Sequence, residues 1–133
     1  MTEARVTYVL SVRQPWAHAI FHNGKDIENR TWKPRKPCRL LIHAAKTFDE
    51  EGLERLEAMR MKLPATFPVG DIIGAVDYLG WVTNSDSDWA ISGYYQWMIA
   101  RPQRARPPIP VLGRPTLFRP PPGWRDSFRG LKD

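Results

Sequence analysis

Eight of the thirteen prolines in this 133-residue chain lie beyond residue 100, and that asymmetry decides much of what the chain can fold into. Proline lacks a backbone donor and breaks helix interiors. The last quarter is therefore expected to be extended or irregular, with room for one short edge strand, and helices are confined to the first half. Pro15 suits the opening position of a helix and leaves Gln14 at the N-cap. Trp16, Ile20 and Phe21 then share one face, and Gly24 can end the helix in a left-handed turn. Thr47-Phe48-Asp49-Glu50 has capping-box spacing, and Leu53, Leu56 and Met59 repeat at helical intervals until Pro64 approaches.

The intervening segments read as strands. Val6–Val12 is rich in β-branched and aromatic residues. Asp26–Trp32 has a period of two, with Asp26, Glu28, Arg30 and Trp32 on one face and Ile27, Asn29 and Thr31 on the other; Pro34 and Pro37 stop it. Arg39–Ala44, Asp71–Val82 and Tyr94–Ala100 follow, the second carrying glycines where a bulge or bend would sit. Four or five strands with two N-terminal helices predict an α+β protein. A curled sheet closed into a small barrel would account for the glycine bends, and an open sheet is the alternative. The length predicts a single domain over residues 1–133.

Charge is placed as unevenly as proline. Residues 1–100 carry 12 basic and 12 acidic side chains, so the net charge of +6 resides in segment 101–133, with eight basic residues against Asp126 and Asp133. Such a basic, Pro/Arg-rich segment is an electrostatic footprint for phosphate. Arg101, Arg104 and Arg106 are the expected contacts to a nucleic-acid backbone, and a solvated arm is the bland alternative. No apolar run reaches the ~18 residues of a membrane span, so no membrane partner is expected. A single cysteine, Cys38, excludes a disulfide framework or cysteine-cluster zinc site and fits a reducing, cytoplasmic location. The polar stretch Met1–Arg5 does not read as a secretory signal. His18, His22 and His43 show no metal-ligand pattern beyond one i,i+4 pair, and neither metal nor cofactor is expected.

The chemistry concentrates in Ser11-Val12-Arg13-Gln14-Pro15-Trp16-Ala17 and Gly24–Trp32. Gln is a poor N-cap, which leaves the Gln14 amide for the edge of a base. Trp16 and Trp32 offer stacking faces, though Trp16 also shares a face with the apolar Ile20 and Phe21. Arg30 can grip phosphate or carboxylate in a forked geometry. Lys25 follows a glycine at a helix-to-strand turn that can aim its ammonium into a cleft. Burial beside Arg30 would favour Lys25 as base or nucleophile, while Glu28 would hold it charged. The bland alternative for Glu28 and Arg30 is an exposed ion pair, and His43 in an apolar strand reads as a hydrogen-bonded core residue.

These two blocks resemble the signature of the ASCH domain family, whose pattern is Gly-x-Lys-x-x-Glu-x-Arg. Lys25, Glu28 and Arg30 match it, and Asn23 takes the first glycine slot. Arg39–Lys46, Val69–Leu79, Trp97 and Pro108–Gly113 resemble later family segments. The resemblance implies a PUA-like β-barrel of about five or six strands with a cleft beside the first helix, usually an RNA-binding fold. It brings in Lys46, and it gives Gln14, Trp16, Lys25, Glu28, Arg30, Trp32 and Lys46 as the ligand-binding set. Some members are hydrolases, including amidohydrolases on acetylated cytidine and a ribonuclease. Lys25 matches the amidohydrolase lysine, whereas Glu28 stands where a threonine is expected. The reading is a nucleic-acid-binding protein, with single-stranded RNA or a nucleotide-like small molecule as partner. Its alternatives are a hydrolase using Lys25 and Glu28, and a protein-interaction domain with the C-terminal segment as docking element.

Overall fold

The computed structural model describes residues 5–131; Met1–Ala4 of the N-terminal stretch and Lys132 and Asp133 of the basic segment lie outside the described residues. The elements are β1 (Thr7–Gln14), α1 (Trp16–His22), β2 (Ile27–Arg30), β3 (Cys38–Phe48), α2 (Glu50–Ala58), β4 (Asp71–Val82) and β5 (Tyr95–Pro110), followed by a 3₁₀ turn at Trp124–Ser127. The α+β class holds. The strands form one sheet in the order β1-β3-β4-β5-β2. β1 and β3 are parallel, and the remaining pairs are antiparallel.

The sheet is not closed. β1 and β2 are its edges, and among the described residues no ladder joins them. Where closure into the expected barrel would require such a ladder, one side chain reaches across instead: Arg30 Nη2 on β2 donates to the Ser11 carbonyl on β1, at 2.8 Å.

Both faces of β1 and β3 are covered, which is why their apolar residues occupy consecutive positions rather than alternating ones. On one face Leu10, Val12, Leu40, Ile42 and Trp97 pack with Ala17 and Ile20 of α1. On the other, Val9, Leu41, Ile72 and Ala75 lie under Phe118, Trp124 and Phe128 from the C-terminal segment. That segment therefore closes a core layer and is not a solvated arm; Val9 and Phe118 even exchange backbone hydrogen bonds as a single antiparallel bridge. A third cluster joins Ala19 of α1, Ile27 of β2, Leu56 of α2 and Trp89 of the β4–β5 loop.

Two sequence expectations need correction. β5 does not stop near Ala100 but runs to Pro110. Its partner register with β4 breaks between Ala100 and Gln103 and between Arg104 and Ile109, so Pro102, Pro107 and Pro108 fall at unpaired positions where a missing N–H costs no ladder bond. The cap of α2 is Asp49 rather than Thr47: its side chain accepts from Gly52 N, and β3 continues through Thr47 to Phe48. The end of α1 is as expected, with Gly24 at φ +74° turning the chain so that Lys25 N donates to the Ala19 carbonyl of the helix at 3.1 Å.

Candidate nucleic-acid interface

A cleft of about 760 Å³ opens between α1, β2 and the start of α2. Its floor is a buried chain of charges. Lys25 Nζ donates to Glu28 Oε1 at 2.9 Å and also to the Ile27 carbonyl. Arg30 Nε donates to Glu28 Oε2 at 2.8 Å. The Lys25 side chain is 4% exposed and that of Glu28 9%, so this is not the exposed ion pair of the bland alternative. The period-two pattern of β2 explains the pairing, because it places Glu28 and Arg30 on one strand face. Burial alone pushes the Glu28 carboxyl up, but Lys25 and Arg30 outweigh it and hold it below the ordinary carboxylate value. The three groups together leave one positive charge.

Of the five N–H donors of a guanidinium, Arg30 spends one on Glu28 and one on Ser11. The others remain for a ligand. Arg13, Arg55 and Arg114 line the same cleft, and Asp49 and Glu51 are the further acids there. The basic side chains outnumber the acidic ones, so the cleft favours an anion.

Trp16 forms one wall. Its Nε1 donates to Asp49 Oδ2 at 2.8 Å, and that bond, partly offset by burial, holds the Asp49 carboxyl below its ordinary value. The indole lies so close to α2 that a Cβ at Gly52 would come within 2.8 Å of it. Trp89 meets Trp16 edge-on at 6.5 Å between ring centres. Lys25 Nζ and Arg55 Cζ each stand 6.0 Å from the Trp16 ring centre, which ties the cationic floor to the aromatic wall.

The structure thus brings together Trp16, Lys25, Glu28 and Arg30. It places the other expected residues elsewhere. Gln14 is wholly buried, and both ends of its amide are used: it accepts from His18 N at 2.8 Å and donates to the Pro68 carbonyl at 2.9 Å. The N-cap of α1 is Pro15 and the helix begins at Trp16, one residue later than expected, so Gln14 precedes the cap and its side chain bonds the first turn from outside the helix. Trp32 packs edge-on against Trp97 at 5.0 Å, and its carbonyl accepts from Trp97 Nε1. Lys46 lies at a neighbouring cavity of about 380 Å³, shared with Ser11 and His43. His43 is 2% exposed, hydrogen-bonded to Ser11 Oγ and the Val111 carbonyl, as a core histidine should be. In the basic segment, Arg101 pairs with Asp77 at 2.6 Å, whereas Arg104 and Arg106 border a separate recess beside His18 and His22. Among the described residues no three His, Cys, Asp or Glu side chains are placed to hold a metal ion, and no helix is long and apolar enough to cross a membrane.

Residues not singled out from sequence complete the site. The β4–β5 loop supplies Trp89, Ile91 and Tyr94. It is fastened by two amides: Asn29 donates to the Trp89 carbonyl and accepts from Ile91 N, and Gln96 accepts from Ser85 N and donates to the Thr83 and Ile91 carbonyls. The loop's polar composition hides that role. Asn29 was the available signal, as a polar residue on the strand face opposite Glu28 and Arg30.

The ASCH domain family model matches residues 10–107, which run from within β1 through most of β5 and contain all of the charged floor. Over 127 residues the chain is 24% identical to human activating signal cointegrator 1, an alignment covering 84% of this chain. The chain spans 22% of that relative's length.

Proposed function

The chain belongs to the ASCH domain family, and from that premise we propose that the cleft binds nucleic acid, RNA in particular, by taking in one unpaired nucleotide. The carrying observation is the Lys25–Glu28–Arg30 floor, a pre-oriented unit of a buried pair and a half-buried guanidinium, with net positive charge and unused Arg30 donors. A nucleotide's phosphate would meet Arg30 and the flanking Arg13 and Arg55, while its base would lie against Trp16, Trp89 and Tyr94. Stacking of this kind contributes about 1–3 kcal/mol per base. The cleft volume lies within the range of small-ligand sites, and a single strand suits it because its bases are free to enter.

The hydrolase alternative gains no support from the same atoms. Both carboxylate oxygens of Glu28 accept from cations, and Lys25 Nζ donates to two acceptors. That arrangement holds the pair in place rather than freeing either group to move a proton.

The test is fluorescence anisotropy of an end-labelled single-stranded RNA, with matched DNA and duplex RNA, across a salt series. The RNA should bind most tightly and remain intact. Log affinity should fall with log salt by roughly 0.7 per phosphate contact. Arg13→Gln and Arg55→Gln, both at exposed positions, should each weaken binding. Salt-independent affinity, or affinity untouched by both substitutions, refutes the proposal.

A further inference from the structure

We propose that the recess between α1 and the proline-rich half of β5 is a second site, built from His18, His22, Arg104 and Arg106, for a phosphodiester of a nucleic-acid strand whose nucleotide occupies the main cleft. This rests on the nucleic-acid reading above.

His18 and His22 stand at i and i+4 on α1, so they share one helix face. Their rings stack at 4.3 Å with 17° between planes, and Phe67 closes the far side of His18 edge-on at 5.3 Å. The recess they line holds about 220 Å³, with Arg104 and Arg106 along its β5 wall. Among the described residues no carboxylate lines it, so nothing in the wall balances these groups. His18 Nε2 is buried with no hydrogen-bond partner. Native proteins rarely leave such an atom unmatched. A phosphate oxygen in the recess would supply the missing negative charge, and a partner for Nε2 once the His18 ring turns toward it.

The groups facing the two imidazoles are each other, Phe67, and the guanidinium groups from β5. Burial and then His22 lower the pKa of His18, and burial and then Arg104 lower that of His22. An anion reverses the sign of its neighbours' effect, because it favours the protonated rings. Binding at this site is therefore coupled to proton uptake and strengthens as pH falls through the histidine range. The placement suits a strand already held in the main cleft. Trp16 lines that cleft and His18 lines the recess. Two positions apart on a helix, they face opposite ways, so a strand crossing α1 meets both.

The chain has three histidines, so ring-carbon NMR can follow each one, with assignments from His18→Gln and His22→Gln. His43, buried and bonded at both nitrogens, is the internal control. The probe is hexauridylate, titrated between about pH 5 and 8, with anisotropy on the same samples. The expected result is a rise of about half a unit in the midpoints of His18 and His22, with the His43 ring-carbon signal unaffected by the ligand. Two such rises correspond to about tenfold tighter binding at the acid end, and the double Gln variant should lose that gain. Hexauridylate bound with both midpoints unmoved overturns this site and leaves the main cleft intact. If hexauridylate does not bind at all, the reading of the main cleft fails. Dimethyl phosphate then decides the recess alone, since a rise in the two midpoints keeps it as a phosphodiester site and no rise ends it.

Discussion

Glu28→Gln is the sharpest perturbation of the charged floor. The substitution keeps shape but removes the counter-charge for two cations, and the new amide presents N–H groups where only an acceptor fits. Breaking a buried ion pair by removing one partner costs about 3–5 kcal/mol. Total stability for a domain of this size is about 5–15 kcal/mol, so the variant should lose roughly a fifth of it or more. With urea slopes of about 1–3 kcal/mol per molar, the unfolding midpoint should fall by roughly 2 M, read by tryptophan fluorescence because Trp16 and Trp89 stand against this site. Lys25→Met should cost less, about 1–3 kcal/mol for one unsatisfied carboxylate oxygen, since Arg30 still neutralises Glu28. The double variant should cost less than the sum of the two. There is a pH signature as well. The folded carboxyl lies below its ordinary value, so its contribution is complete above the unfolded pKa and fades as pH falls through the folded one. The acid limb of the wild-type stability curve should flatten in Glu28→Gln. A midpoint shift below about 0.3 M, or a larger loss in Lys25→Met than in Glu28→Gln, refutes the picture of a floor held together by Glu28.

Gly52→Ala should lower stability by about 1–3 kcal/mol, despite alanine's better helix propensity, because its Cβ would meet the Trp16 ring at 2.8 Å; equal or raised stability in thermal melts contradicts that packing. Arg104→Gln and Arg106→Gln should each lower the salt slope of RNA binding by roughly 0.7, whereas Arg101→Gln, whose partner is Asp77, should leave the slope unchanged. Burial, with Asp77 adding to it, pushes the Cys38 thiol up to about 11. Iodoacetamide at mildly alkaline pH should therefore leave the folded protein unmodified and label it once urea unfolds it.

The sequence was most legible where local rules and burial agree. β4 lies where its apolar run and turn residues put it, and β2 carries Glu28 and Arg30 on one face, as its period of two demands. The extent of β5 was not legible, because a proline's cost depends on whether its position is paired, and pairing is set by a partner strand some thirty residues away. Gln14 shows the same limit. Cap preference describes an average residue, whereas here the buried amide bonds α1 from before its cap and also fastens Pro68, and that second bond is invisible locally. The cleft wall from Trp89 to Tyr94 was hidden for a related reason: two side-chain amides, half-buried Asn29 and buried Gln96, convert a polar loop into fixed structure.

The same guanidinium serves the site and the fold. Arg30 bonds the Ser11 carbonyl across the gap between the sheet's edge strands, while its remaining N–H groups face the cleft. A phosphate drawn to those free donors need not break the bond to Ser11, so ligand and fold do not compete for the same hydrogens. Occupancy should then reinforce the seam, raising apparent stability by RT ln(1 + [L]/Kd), about 2.7 kcal/mol at a hundredfold excess over Kd. Amides along β1 and β2 should show slower hydrogen exchange on RNA binding, beyond the global gain, if the seam opens locally in the free protein. Uniform slowing across all five strands, with no excess at these two, places the weak point of the fold elsewhere and removes Arg30 from its role as the link between binding and stability.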